Sequence, residues 1–298
     1  MPKFISLIGY PVKHSISPYF QQAALDYYHL DIRYEAWEIS PEMLEVTVAK
    51  LREPQNLGAN VTVPYKEAVL PLLDQVDNLA GLIGAVNTIL KRNGKLWGYN
   101  TDAYGFIEAL KQHGNFEPEG KKVAILGAGG AARAASFALV QNKVRFLLIV
   151  NRTLERAQTL ADNLREYISQ AGWQAKVAIL PWQDLTSSQV FDDCQLIVNC
   201  TTIGMNHSSY EGQSPLGVEL IPKGILVYDL VYNPYITPLL KLAEQASANI
   251  LSGLPMLVYQ GAASFELWTG RKAPIDIMFN KAQEVLDGKL KIKGQKSK

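Results

Sequence analysis

Four polar clusters in the first third of this 298-residue chain follow short apolar runs, and each holds groups that do chemistry. Ser15-Ile16-Ser17-Pro18 comes after an apolar run and a glycine, and Thr62 and Lys66 lie in the segment 60–66 that leaves another. Asn87-Thr88 and Asn100-Thr101-Asp102 occupy a third and a fourth such place. Hydroxyl, amide, ammonium and carboxylate groups gathered at strand ends suit a small, polyhydroxylated, acidic ligand, because open α/β sheets bind ligands at the carboxyl ends of their strands. Each residue alone has a plainer use: Ser17 as a helix cap, Asn87 as a turn former, Lys66 as a surface lysine, Asp102 as an N-cap. Their repetition at strand ends favours a ligand.

A second constellation begins at residue 122. An apolar run over 122–126 enters Gly127-Ala128-Gly129-Gly130-Ala131-Ala132, and a helix is expected over 133–140. Strand, glycine turn and helix in this order form a dinucleotide fingerprint. Gly127 permits the tight turn, Gly129 admits a pyrophosphate to the backbone, and Ala132 takes the third small position. The phosphates would rest on N–H groups at the helix start. The following strand ends at Asn151-Arg152-Thr153, with Arg156 one turn on, where an NAD enzyme places an acid on the ribose. Donors and positive charge there suit a 2′-phosphate, so NADP is the expected cofactor. The same residues also read as a capped helix start, and both uses are compatible.

The elements that must position these groups follow an alternation of short apolar runs and amphipathic segments, the pattern of an α/β protein. Strands are expected near 3–8, 32–38, 58–61 and 85–90, with helices near 17–29 and 41–51. Asn93-Gly94 between two strand-like runs marks a hairpin. After a polar stretch at 114–120, strands are expected at 122–126, 145–150, 174–180, 195–199 and 225–229. The end of the chain reads as helices, a long one from 255 and a second over 274–286, followed by a lysine-rich solvated tail at 289–298.

Composition narrows the partners. Hydrophobic residues make up 48% and charged residues 19%, an ordinary globular balance, and a net charge of +1 offers no footprint for nucleic acid. The first residues lack an uninterrupted apolar run, so neither signal peptide nor membrane span is expected. Cys194 and Cys200 lack zinc or redox spacing and read as reduced thiols of a cytoplasmic protein. His14, His29, His113 and His207 show no ligand spacing, and no metal is expected.

Taken in order, residues 9–18, 60–66, 84–88, 98–106, 127–133, 151–153 and 253–261 resemble the successive signature segments of the shikimate/quinate dehydrogenase family. The likeness spans residues from about 5 to 270. It implies that Ser15, Ser17, Thr62, Lys66, Asn87, Asp102, Tyr232 and Gln260 hold shikimate, with Lys66 and Asp102 as the catalytic pair. It also implies that Leu230 and Gly253 line the nicotinamide end of the cofactor site. Gly127, Ala128, Gly129, Gly130, Ala131, Asn151, Arg152, Thr153 and Arg156 would hold the rest of NADP. The implied fold has two domains. An N-terminal α/β substrate domain, 1–102, is completed by C-terminal helices in 255–298, and a Rossmann domain covers 103–254; the two close around bound ligands. One departure stands out: the family often carries an acid where this chain has Asn78, which weakens any cofactor role there.

The resemblance implies NADPH-dependent reduction of 3-dehydroshikimate to shikimate, within chorismate and aromatic amino acid biosynthesis. The expected partners are small molecules, with a homodimer left open. Two alternatives stay in view: an NAD-using quinate/shikimate dehydrogenase, disfavoured by Asn151-Arg152, and a non-catalytic NADPH-binding regulator, disfavoured by the presence of both Lys66 and Asp102. A short-chain dehydrogenase is excluded, since no tyrosine has a lysine four places on.

Overall fold

The computed structural model describes residues 2–296, with side chains from 2 to 288. The expected solvated tail at 289–298 lies outside the residues whose side chains are described. The chain forms two compact units, Met1–Gly105 with Leu257–Lys298, and Phe106–Met256.

In the first unit, β1 (Lys3–Gly9), β2 (Ile32–Glu38) and β3 (Asn56–Val61) run parallel, connected by α1 (Ser17–Tyr27) and α2 (Leu44–Lys50). A two-residue strand, β4 (Gln75–Val76), and α3 (Asn78–Ile83) lead to the hairpin of β5 (Thr88–Arg92) and β6 (Lys95–Tyr99). The sheet order is β2-β1-β3-β5-β6-β4, with β5 antiparallel to β3. Asn93 (φ 52°) and Gly94 (φ 74°) both adopt the left-handed conformation that the two-residue turn demands. Ile8, Val61, Tyr65, Val86 and Ile89 belong to the core beneath this sheet.

The strand expected over 85–90 starts only at Thr88. Gly84 ends α3 in the left-handed conformation, and the chain then crosses to Lys66, whose carbonyl accepts from Val86 N at 2.7 Å. The result is a short irregular approach that leaves Asn87 at the sheet's end. The helix expected over 41–51 opens as a single 3-10 turn before α2.

α4 (Asp102–Gln112) leads into the second unit. There β7 (Lys122–Leu126), β8 (Phe146–Asn151), β9 (Lys176–Pro181), β10 (Leu196–Asn199), β11 (Leu226–Asp229) and β12 (Asn249–Leu251) form a parallel sheet of order β12-β11-β10-β7-β8-β9. This is the strand order of a dinucleotide-binding sheet, with its switch point between β7 and β10. Helices α5 (Gly130–Gln141), α6 (Leu154–Gln170) and α7 (Pro238–Gln245) connect the strands. Burial on both faces explains the nearly unbroken apolar runs: Ala124, Leu126, Leu148, Val150, Ile197 and Val227 pack with Leu239 and Leu240 of α7.

The chain returns to the first unit through α8 (Leu254–Thr269) and α9 (Ile275–Lys296). Gln21 Nε2 donates to Gly261 O at 2.9 Å, Trp268 Nε1 to Ile89 O at 2.9 Å, and Tyr28 OH to Lys272 O at 2.8 Å. With α9 against α1, these bonds tie the C-terminal helices to α1 and, through Trp268, to β5 of the sheet. Among the described residues no helix is long and apolar enough to cross a membrane.

Candidate active site

In the first unit the structure brings Lys66, Asn87, Asp102 and Gln260 together. Lys66 leaves the loop after β3, and its Nζ donates to Asp102 Oδ2 at 2.6 Å. The lysine side chain is 17% exposed and the carboxylate 4%, so the pair is largely removed from water on the aspartate's side. Asp102 is the first residue of α4, but it does not serve as the cap. Asn100 does that, accepting from Ala103 N through Oδ1 at 3.2 Å while donating to Ala85 O at 2.8 Å. The Asp102 carboxylate is thereby left to Lys66 on one oxygen and to Asn87 Nδ2, at 2.9 Å, on the other.

The orientation of the Asn87 amide is fixed by its neighbours. Thr101 N can only donate, and it lies 2.7 Å from Asn87 Oδ1. Asn87 Nδ2 must therefore face Asp102 Oδ1, Thr101 Oγ1 at 2.8 Å and Gln260 Oε1 at 3.1 Å, three acceptors for two hydrogens. Behind it lies a buried hydroxyl and amide network. Thr88 Oγ1 is 2.7 Å from Ser264 Oγ, Asn60 Nδ2 donates to Asn87 O at 3.0 Å, and Tyr34 OH donates to Asn60 Oδ1 at 2.7 Å. Buried amides with every partner present hold a single geometry, which a ligand site requires.

Ser15, Ser17 and Thr62 lie at the carboxyl ends of the adjacent strands β1 and β3 without a hydrogen bond to this cluster. Ser17 is not the cap of α1; Ile16 holds that place, and Ser15 Oγ accepts from Ser17 N at 3.2 Å. Thr62 packs where a side chain at Gly9 would stand, so glycine is what allows the two strand ends to meet. Asn78 is exposed at the start of α3, and the neighbouring acid Asp77 spends its carboxylate capping Leu79 N at 3.0 Å.

In the second unit, Gly127 turns with φ 113°, and a side chain there would press on Thr201 and Cys200. α5 starts at Gly130 with Gly129 as N-cap, no side-chain cap and no acid in its first turn. A Cβ at Gly129 would meet nothing within 4 Å. An uncapped, acid-free helix start behind a glycine turn fits a pyrophosphate. Ala128 is buried, and Gly130 and Ala131 are partly exposed at this same helix start.

At the end of β8, Asn151 Nδ2 turns back to Thr153 O at 2.7 Å, while Arg152, Thr153 and Arg156 are exposed. Thr153 occupies the N-cap of α6 but makes no side-chain cap bond. Arg152 Nη1 donates to Tyr210 OH at 3.2 Å. The guanidinium and amide donors without an acid at the strand end fit a 2′-phosphate. Leu230 and Gly253 are neighbours, since a Cβ on Gly253 would collide with the Leu230 carbonyl. Tyr232 follows two residues later, half-buried. Burial pushes both cysteine thiols up, Cys194 to about 11, which removes them as nucleophiles at neutral pH.

The reading of residue types missed Asn100 as the cap that releases Asp102, and Tyr34, Ser264 and Asp229 as buried polar partners. An Asn two residues ahead of Asp102 was the available signal for the first. The others sit in segments whose patterns are those of ordinary strands and helices.

Three family models match the chain in succession. These are the shikimate dehydrogenase substrate binding domain over residues 7–89, shikimate/quinate 5-dehydrogenase over 108–181, and the shikimate 5′-dehydrogenase C-terminal domain over 253–279. The shikimate dehydrogenase (NADP(+)) of Methanopyrus kandleri is 44% identical over 275 residues, 92% of each chain. A shikimate dehydrogenase crystallised with NADP+ superposes with a TM-score of 0.86 at 37% identity, over 96% of both chains. The Thermus thermophilus shikimate 5-dehydrogenase, solved with NADP(H) and shikimate, superposes with a TM-score of 0.81 at 37% identity, over 95% of this chain and 99% of that one. With full-length likeness in sequence and fold, and a glycine turn and a Lys66–Asp102 pair in place, the chain belongs to the NADP-dependent shikimate dehydrogenase family.

Proposed function

We propose that this enzyme interconverts 3-dehydroshikimate and shikimate with NADP(H), in the biosynthesis of chorismate and the aromatic amino acids. Residues 1–102 with 255–298 take the substrate and 103–254 the dinucleotide. Gly127, Ala128, Gly129, Gly130 and Ala131 hold the pyrophosphate. Asn151, Arg152, Thr153 and Arg156 hold the 2′-phosphate end, and Leu230 with Gly253 the nicotinamide end. When bound, NADPH supplies a hydride; the remaining work falls to the chain's own side chains.

The observation that carries the reading is the Lys66 Nζ–Asp102 Oδ2 bond of 2.6 Å, backed by Asn87. A carbonyl oxygen reduced by hydride must gain a proton, and the reverse oxidation must lose one. An ammonium has three donors, of which Asp102 takes one, so Lys66 serves as the proton donor to the reacting oxygen and its amine as the acceptor in reverse. Asp102 orients the lysine and accepts a substrate hydroxyl. A substrate hydroxyl takes the place of one of the three acceptors that share the Asn87 Nδ2 hydrogens, and Gln260 Nε2, which spends one hydrogen on Leu257 O, offers its other. Ser15 and Ser17 take the substrate carboxylate, with Thr62 and Tyr232 completing the set.

Both cysteines are free, in keeping with a reducing cytoplasm. The test is an absorbance assay at the nicotinamide band with shikimate or quinate against NADP+ or NAD+. Shikimate with NADP+ is the expected best combination. Equal or better efficiency with quinate, whose extra hydroxyl lies beside the Ser15–Ser17 pair, would overturn the substrate assignment. Equal efficiency with NAD+ would overturn the cofactor assignment.

A further inference from the structure

Asp229, at the end of β11, is fully buried and is not among the residues assigned to chemistry. No cation pairs with it among the described residues. Its carboxylate is instead met by three neutral donors: Asn199 Nδ2 at 2.9 Å and Val231 N at 3.0 Å on Oδ1, and Thr237 Oγ1 at 2.6 Å on Oδ2. Keeping an unpaired carboxylate in an interior is costly unless hydrogen bonds offset its lost hydration. Burial accordingly pushes this carboxyl up to about 6.

The three donors belong to three different pieces of chain. Asn199 ends β10, and its Oδ1 accepts from Thr201 N at 3.0 Å and Thr201 Oγ1 at 2.7 Å. Thr201 is the residue that stands against Gly127 of the glycine turn. Val231 lies between Leu230 and Tyr232. Thr237 is the N-cap of α7, accepting from Leu240 N at 3.2 Å, and so closes the loop that carries Tyr232.

We propose that Asp229 is a positioning residue: it ties the 230–237 segment, which carries Leu230 and Tyr232, to the strand end beside the glycine turn. The proposal rests on the assignment of Leu230 to the nicotinamide end and of Tyr232 to shikimate. Side-chain chemistry explains why a carboxylate suits the place. Asparagine would still accept from Asn199 and Val231, but its NH2 would face Thr237 Oγ1 and strand that hydroxyl's hydrogen. Alanine would strand all three donors.

The test compares Asp229→Ala, Asp229→Asn and Tyr232→Ala with the parent enzyme. It reads steady-state kinetics for shikimate, binding of adenosine 2′,5′-bisphosphate by calorimetry, and thermal midpoint. Misplacement of about an ångström costs on the order of 100-fold in rate. Asp229→Ala is therefore expected to lower kcat/KM for shikimate about 10- to 100-fold while bisphosphate binding stays within about twofold, with Asp229→Asn recovering most of the loss. A folded Asp229→Ala enzyme with a lowered midpoint but near-parental kcat/KM would overturn the proposal and make Asp229 purely structural. In that case a raised shikimate KM in Tyr232→Ala would show that the Tyr232 assignment survives. An unchanged KM in Tyr232→Ala would remove the assignment and the proposal together. If Asp229→Ala does not fold, Thr237→Val removes one donor together with the cap on Leu240 N, and Thr237→Ser is the control that keeps both. Thr237→Val is expected to shift kcat/KM in the same direction by a smaller factor while Thr237→Ser stays near parental, and no shift in Thr237→Val would overturn the proposal.

Discussion

Replacing Arg152 with alanine asks which end of the dinucleotide this side chain serves. Its guanidinium sits at the end of β8, is exposed, and spends one donor on Tyr210 OH at 3.2 Å. A charge-assisted hydrogen bond contributes about 1.5–3 kcal/mol, and solvent at this position places Arg152 near the lower end, or about a tenfold effect. NAD+ has no 2′-phosphate and loses only the indirect support of the Arg152–Tyr210 bond, a loss that NADP+ shares. Arg152→Ala is therefore expected to raise the KM for NADP+ about tenfold and that for NAD+ less than about twofold, measured at saturating shikimate. The NADP+ effect should also shrink as salt is added, because exposed charges are screened. Equal weakening of both cofactors would refute the phosphate assignment and leave Arg152 as a support for the loop that carries Tyr210.

Two further outcomes follow from the geometry. Asp102→Asn should reduce kcat and raise the shikimate KM together, since the carboxylate both orients Lys66 and takes a substrate hydroxyl; steady-state kinetics that show only one change would split these roles. Asp229, raised from an ordinary 3.8 to about 6, binds its proton more tightly in the folded state. Its stabilising contribution is thus full below about pH 4 and is lost as pH rises through about 6, at most about 3 kcal/mol in all. Denaturant unfolding at pH 4.5 and pH 7.5 should show Asp229→Asn flattening this slope, and an unchanged slope would mean that the carboxyl titrates normally.

The central strands and the glycine turn were legible because buried parallel strands leave apolar runs and a left-handed turn leaves glycines. Strands 3–8, 32–38 and 122–126 fall within about a residue of those observed. Three features were not legible. The two- and three-residue strands β4 and β12 are too short for any periodicity to register. The start of β5 moved because Val86 bonds to the Lys66 carbonyl, a tertiary contact between segments distant in sequence. Ser17 and Asp102, each a plausible cap by type, gave way to Ile16 and Asn100, since capping depends on backbone angles that residue type only biases. The candidate site followed the same rule. Lys66, Asn87 and Asp102 could be singled out as polar groups at strand ends, whereas the buried partners that orient them, Tyr34, Asn60, Thr88 and Ser264, come together only through the fold.

The claim on which the rest depends is that Lys66 exchanges the proton with the reacting oxygen. Lys66→Ala, confirmed as folded by circular dichroism, tests it through turnover of shikimate at saturating NADP+. General acid–base groups contribute about two to four decades, so turnover is expected to fall by that much, with a far smaller change in the shikimate KM. A folded variant that keeps near-normal turnover would take the lysine out of the mechanism and leave Asp102 or a bound water as the proton carrier.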